Sequence, residues 1–330
     1  MAESWKDLSV LVVGCGSIGK RHSRVLRGMG VKTLYACDPV PAQVQAATAD
    51  ARFDAVAETL EAGLSLKPDA VLLCTPPALH VPQARQAIEA GCHVFSEKPL
   101  SADFKGIPEL EALIARTGRK FMVGLCFRYH AGLLRARGIV AEGRIGRIVS
   151  VRALMGEHLP DIRPDYRELY LAKYNGAFEL MHDIDLAIWF AGQDVKRVQG
   201  IHGGFSDIGI EAPDLVDLLL EFPDRCTASV HLDFFELPRR RFLELMGTRG
   251  TVTVEFAAWN ECTVSVYDAA RRAWDVEAMK TDRDDMIRDE DREFLRACAE
   301  DLPIACTLAE GARSLRVVLQ AQGLLEGGRR

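Results

Sequence analysis

No apolar run in the 330-residue chain approaches the ~18 residues that a membrane span requires. Its start, MAESWKDLS, lacks the basic and then apolar pattern of a secretory leader, so a cytoplasmic protein is expected. The nine cysteines include no C-x-x-C pair, and Cys15, Cys37, Cys74, Cys126 and Cys226 lie within or beside apolar runs, where a thiol behaves as a small hydrophobe. That pattern suggests neither a disulfide framework nor a zinc site. Basic charge is not in excess either: a net charge of −6 argues against a nucleic-acid surface. The one basic run, Arg239–Arg241, is expected to be a solvated strand edge. Internal repeats and low-complexity linkers are absent.

What is present begins with the segment from Leu8 to His22, LSVLVVGCGSIGKRH. Leu8, Val10, Leu11, Val12 and Val13 make a nearly continuous apolar run, the mark of a strand buried on both faces, and Gly14, Gly16 and Gly19 follow in G-x-G-x-x-G spacing. Such a unit needs glycine at Gly14 for a tight turn, at Gly16 for backbone to approach a pyrophosphate, and at Gly19 for the helix to pack closely on the strand. The anion is then held by free N–H groups at the helix N-terminus, around Gly16, Ser17 and Ile18. About 20 residues beyond the glycines, the apolar segment Thr33–Cys37 ends in Asp38, where a carboxylate bonds a ribose 2′-hydroxyl. The same carboxylate repels a 2′-phosphate, so NAD is expected over NADP.

Alternating segments continue to about residue 125. Pro41–Ala49 reads as a helix, Ala70–Cys74 as a buried strand, His80–Ala90 as a helix, Cys92–Phe95 as a strand, Pro108–Thr117 as a helix and Lys120–Leu125 as a strand. Thr75-Pro76-Pro77 ends one strand and Ser96-Glu97-Lys98-Pro99 another, at the carboxyl edge where open α/β sheets bind ligands. Later segments are strand-like (Arg147–Met155, Val195–His202, Leu215–Phe222, Cys226–Phe235, Phe242–Met246, Thr251–Phe256, Cys262–Tyr267) around one long helix, Gly176–Phe190. The expected architecture is an α/β domain over 1–125, a doubly wound parallel sheet of Rossmann type, and an α+β domain over 126–330 with a largely antiparallel open sheet. The C-terminal helices, about 289–325, are able to pack back on the first domain. Strands Val216–Leu220, Thr227–Leu232 and Thr251–Phe256 are expected to leave alternating apolar residues on the face away from the long helix, a surface for a second subunit.

Two places carry candidate chemistry. Lys98, fixed by Pro99 and preceded by Glu97, stands at a strand end on the ligand edge, although an exposed lysine beside a surface counter-ion is the plainer reading. In GAFELMHDIDLAIWFAG, spacings of three place Glu179 and Asp185 on either side of His182, on a helix otherwise apolar nearly all round. Buried charges need partners or a job: acid–base work, a satisfied core histidine, or a metal, for which no second cluster supplies a fourth ligand.

With these residues the sequence resembles the glucose–fructose oxidoreductase, inositol dehydrogenase and rhizopine-catabolism family, Gfo/Idh/MocA, over nearly its whole length. The matching marks are GCGSIGKRH, Thr75-Pro76-Pro77 with His80, Glu97-Lys98-Pro99, Phe127-Arg128 and NGAFELMHDID. The resemblance implies an NAD-dependent dehydrogenase of a polyhydroxylated small molecule, in which Lys98 and His182 face the nicotinamide with Asp185 close by, and Arg128 and His80 belong to the cofactor side. Many members carry an aspartate four residues before the histidine; here Phe178 stands there and Glu179 follows, as in a branch associated with nucleotide-sugar and sialic-acid-like gene clusters. Arg163, Tyr166, Arg167 and Tyr174, in the polar loop before the helix, are expected to touch substrate hydroxyls or a carboxylate. The same architecture also hosts NAD-dependent glycoside hydrolases and dinucleotide-binding sensors without turnover. The expected partners are a small polyhydroxylated substrate and further copies of the chain, as dimer or tetramer, with no nucleic acid, membrane or metal.

Overall fold

The apolar run after Leu8 becomes β1 (Ser9–Val13), buried along four of its five residues. It pairs in parallel with β2 (Thr33–Cys37) on one side, which carries β3 (Ala55–Ala57), and on the other with β4 (Ala70–Leu73), β5 (His93–Glu97) and β6 (Phe121–Gly124). The strand order β3-β2-β1-β4-β5-β6 reverses between β1 and β4, the switch point at which such sheets open a crevice. Helices α1 (Ser17–Met29), α2 (Pro41–Thr48), α3 (Leu60–Leu64), α4 (Pro77–Glu89) and α5 (Ile107–Thr117) lie between the strands in sequence. α4 starts earlier than the sequence reading has it, because Pro77 occupies the first turn, where its missing N–H costs nothing. This computed structural model describes residues 3–325; the extreme ends of the two expected domains, 1–2 and 326–330, lie outside them.

The chain divides into two units, Met1–Cys126 with Asp284–Leu315, and Phe127–Arg283 with the chain from Arg316. In the second, helices α6 (Ala131–Ala141), α7 (Leu159–Ile162), α8 (Tyr170–Lys173) and α9 (His182–Ala191) accompany an eight-stranded sheet. Its strands are β7 (Ile148–Gly156), β8 (Arg197–Gly203), β9 (Leu215–Phe222), β10 (Cys226–Asp233), β11 (Arg240–Gly247), β12 (Gly250–Glu255), β13 (Glu261–Asp268) and β14 (Ala273–Lys280). In the order β14-β13-β12-β11-β7-β10-β9-β8 every neighbour is antiparallel except β10 with β7. Several elements fall outside the sequence expectation: β3 and α3 in the first unit, and α6, α7, α8 and β14 in the second, where β14 has no buried residue and so no apolar alternation to read.

The expected Gly176–Phe190 helix is interrupted. Gly176–Leu180 forms a 3₁₀ turn and α9 begins only at His182. Gly176 sits at φ +55°, where an added Cβ would lie 2.0 Å from the Pro213 carbonyl oxygen, and that oxygen accepts the Ala177 N–H at 2.8 Å. The first turn is thus tied to a neighbouring loop and does not continue the helical ladder.

Two last helices follow, α10 (Arg283–Glu300) and α11 (Leu308–Ala321). Within the first unit, Phe294 of α10 is wholly buried edge-on to Phe95 of β5, with centroids 5.7 Å apart. The Val123 N–H of β6 donates to the Cys306 carbonyl at 2.8 Å, which covers the edge of that sheet.

On β9 and β10 the open face of the second sheet departs from the apolar expectation, whereas Ile201, Trp274 and Val276 of β8 and β14 stand exposed on it. Val216, Leu218, Leu220, Ala228, Val230 and Leu232 turn inward, so their alternates Asp217, Leu219, Thr227, Ser229 and His231 face out. Leu219, 61% exposed, is the large apolar residue of that outward set; in its row, beyond Ser229, Arg152 of β7 pairs with Glu244 of β11 at 3.0 Å. Among the described residues no helix is long and apolar enough to cross a membrane.

Candidate active site

Two of the three glycines are demanded by packing. Gly14 lies at φ +92°, and a Cβ there would approach the Cys74 carbonyl oxygen to 2.6 Å; one on Gly19 would lie 1.9 Å from the Gly14 carbonyl oxygen. Gly16 differs: its φ of −69° suits any residue, and nothing lies within 4 Å of where its Cβ would project. That space opens before the first turn of α1, whose N-cap residue supplies no side-chain hydrogen bond, so backbone N–H groups are left to meet an anion. Exposed Ser17 and half-buried Ile18 continue this turn. Asp38, 9% exposed, accepts the Cys15 N–H at 2.7 Å on Oδ2 and the Val40 N–H at 2.8 Å on Oδ1. A carboxylate offers about four lone-pair sites, so both oxygens keep capacity for a ribose diol. These residues fit a dinucleotide.

Farther along the same edge, the His80 ring lies between the Thr75 carbonyl oxygen (2.7 Å) and the Pro99 carbonyl oxygen (2.8 Å), which joins the ends of β4 and β5. Thr75 Oγ1 donates to Gln83 at 2.6 Å, and Pro76 stands exposed as the N-cap of α4. Half-buried Lys98 leaves β5 with its backbone N–H donating to Glu97 Oε2 at 3.0 Å. Glu97 Oε1 lies 3.0 Å from His22 Nε2. Burial opposes ionisation of Glu97, but the His22 hydrogen bond and charge, with Lys98 after them, hold its carboxyl below the usual range.

In the second unit, His182 is the first residue of α9, half-buried, with its ring 5.0 Å from that of Phe127. Asp183, wholly buried, accepts from Arg241 of β11 at 2.6 and 3.3 Å. Asp185, 2% exposed, takes a two-pronged bond from Arg128 at 2.8 and 2.7 Å. At about 100° per residue the two acids point roughly 200° apart, so together they fix the rotation of α9 and with it the direction of His182. The Arg241 guanidinium carbon also sits 3.5 Å from the centroid of Phe127, beneath the ring that supports His182.

This corrects the reading of Arg239–Arg241 as a solvated edge. Only Arg240 is exposed; Arg239 pairs with Glu157 at 3.1 Å, and Arg241 is buried on Asp183. The signal was available, since Arg241 shares the inward register of Leu243 and Leu245 on β11. Glu179 lies in the 3₁₀ turn and accepts from Asn175 Nδ2 at 2.7 Å. Tyr166 is buried and spends its hydroxyl on the Ile208 carbonyl at 2.6 Å, with Arg167 laid over its ring; Arg163 and Tyr174 are exposed. Lys98 and His182 belong to different units. Among the described residues, the group placed to share a metal is His231, Asp233 and Glu236, none of them in the expected site.

Residues 8–125 match the family model described as an oxidoreductase family with an NAD-binding Rossmann fold, and residues 133–253 match the GFO/IDH/MocA C-terminal domain. The chain belongs to the GFO/IDH/MocA oxidoreductase family, and its first unit carries that family's NAD-binding domain. It is 27% identical over 226 residues to a myo-inositol dehydrogenase of Streptomyces leeuwenhoekii, covering 68% of this chain and 66% of that one. It is 24% identical over 258 residues to a 2,7-anhydro-N-acetylneuraminate hydratase of Mediterraneibacter gnavus, covering 76% and 68%. Its fold matches the structure of scyllo-inositol dehydrogenase from Lactobacillus casei with bound NAD(H) and scyllo-inositol, with a TM-score of 0.81, 21% identity and 97% of each chain covered.

The glycines separate packing from binding. Gly16→Ala should fold with an unchanged melting temperature yet bind NAD about tenfold or more weakly, because its methyl enters the space left for the anion. Gly19→Ala should lose the folded first unit. Calorimetry with NAD titration checks both; a Gly16→Ala protein with wild-type affinity would place the dinucleotide elsewhere.

Proposed function

We propose that the chain is an NAD-dependent dehydrogenase acting on a secondary alcohol of a sugar, nucleotide sugar or cyclitol, with Lys98 and His182 as its acid–base pair. The observation that carries the reading is the way buried charge is spent to aim His182: both acids of α9 are matched by arginines, and the imidazole is left half-exposed on Phe127. Lys98, likewise half-buried, is fixed at its backbone by Glu97 Oε2.

Bound NAD supplies the hydride acceptor, or the donor in the reverse direction. An imidazole nitrogen of His182 accepts the hydroxyl proton, while the Lys98 ammonium donates a hydrogen bond to the same oxygen and stabilises developing alkoxide charge. Asp185, locked to Arg128, orients His182 by fixing the helix that carries it, and Glu179, held by Asn175, is the acid at the entry to that helix. Arg163, Arg167 and Tyr174 are the exposed loop side chains proposed to meet substrate hydroxyls or a carboxylate. The relatives named for inositol support a cyclitol or sugar as substrate. The hydratase relative favours one second reading, a redox-neutral turnover in which hydride returns to the substrate, as in NAD-dependent glycoside hydrolases.

With a polyol panel, NADH accumulation supports the dehydrogenase, and substrate conversion without it supports the second reading. Lys98→Ala and His182→Ala should each lower single-turnover hydride transfer by about 10²–10⁴-fold while NAD affinity hardly moves. A folded His182→Ala protein with near-wild-type transfer would remove that helix from the chemistry.

Cofactor choice follows from Asp38. Its carboxylate, already accepting two backbone N–H groups, should bind NAD more tightly than NADP, and titration of both decides; tighter NADP binding contradicts the role.

Self-association through the open sheet face is also proposed. Leu219, followed in its row by Ser229 and the oppositely charged Arg152 and Glu244, is part of a surface that a two-fold axis could match to itself. Light scattering should give a dimer or tetramer mass that Leu219→Arg reduces; a wild-type monomer at micromolar concentration would overturn this.

A further inference from the structure

The parallel-sheet unit buries four ionisable side chains in one cluster. His22, on α1, has no exposed surface; its Nδ1 lies 2.8 and 3.1 Å from the two carboxylate oxygens of Asp291 on α10, and its Nε2 lies 3.0 Å from Glu97 Oε1 at the end of β5. Phe95 holds the ring edge-on at 5.2 Å. Glu290, beside Asp291 in sequence, is wholly buried, and neither of its carboxyl oxygens makes a hydrogen bond. The buried Cys74 thiol after β4 and the charge of Lys98 complete the titratable groups that face these carboxylates.

Carboxylate oxygens only accept, so a ring with both nitrogens against them needs a proton on each. Burial works against that cation, yet the charges and hydrogen bonds of Asp291 and Glu97 raise His22 well above its ordinary value. Glu290 has no cation of its own: burial, and then the Glu97 charge, pushes it well above the usual range, so it is the neutral acid of the cluster. Glu97 is held at both ends, by His22 on Oε1 and by the Lys98 N–H on Oε2. A rotation of that carboxylate releases both contacts.

We infer that His22, clamped between Asp291 and Glu97, is a positioning residue for Lys98: it fixes the carboxylate whose second oxygen holds the Lys98 backbone and whose charge faces the ammonium. The catalytic consequence rests on the role proposed for Lys98. The placement itself does not, and the two are tested separately.

The full-length variant His22→Gln/Asp291→Asn removes one cation and one anion together, so that no lone charge is buried. Two readouts are taken: the rate of Lys98 acetylation by acetic anhydride at one fixed pH, followed by peptide mass spectrometry on protein without cofactor or substrate, and kcat and KM on a polyol substrate. With Glu97 loosened, Lys98 labelling should quicken about threefold or more because its backbone is less tightly held, and kcat should drop about tenfold or more, with KM and NAD affinity changed by less than about twofold. Glu290→Gln, an amide in place of a neutral acid, should leave both readouts at wild type. A folded double variant with the wild-type labelling rate overturns the inference. A quickened labelling with unchanged kcat keeps the placement and removes Lys98 from the chemistry. Nitrogen NMR of histidine-labelled wild type needs no variant: both His22 nitrogens should be protonated at about pH 8, where an ordinary histidine is neutral, and a bare nitrogen there also overturns it.

Discussion

The first unit depends on one close approach, the backbone of Gly19 against the carbonyl oxygen of Gly14, with 1.9 Å between that oxygen and any Cβ on Gly19. Because α1 can settle onto the end of β1, the residue three positions on, His22, is carried on the same helix face into the interior. There it meets β5 and α10 through Glu97 and Asp291. A glycine usually explained by its service to a pyrophosphate therefore has a second consequence. The packing that leaves the helix N-terminus open also sets the charge network behind Lys98.

Both sheets hold their candidate chemistry by buried charge pairs and not by apolar packing alone. A buried pair adds little net stability over a well-packed apolar replacement, but loss of one partner costs about 3–5 kcal/mol because the other is left uncompensated. Such pairs fix geometry at little gain in stability. Arg128 with Asp185 and Arg241 with Asp183 do so for α9 from two directions, and His22 with Asp291 and Glu97 does so for the end of β5.

What was legible in the sequence was what is local. The glycine spacing, Asp38 and the strand-ending prolines each sit within one strand–turn–helix unit, and the parallel sheet and its order of elements follow from them. Contacts set by tertiary structure were not legible. His22 and Asp291 are 269 positions apart, and no local pattern links them. The break before α9 depends on the Pro213 carbonyl, and β14 is a strand by pairing with β13 and not by burial. Arg241 was misread because its chemistry suggested solvent while its register pointed inward. There the pattern of period two was the better guide.

The same register of acids and arginines explains how one chain keeps its histidines in different states. His231, between Asp217 and Asp233, is raised to about 9 by its hydrogen bonds to Asp233 and then Asp217. His130, buried and near the Arg241 charge, is pushed down to about 4. Read from spacing alone, Glu179 and Asp185 would bracket His182 as Asp217 and Asp233 bracket His231. In the folded chain Asp185 is taken by Arg128, Asp183 by Arg241 and Glu179 by Asn175. The two acids of α9 closest in sequence to His182 therefore secure its helix, with their charge offset by arginine.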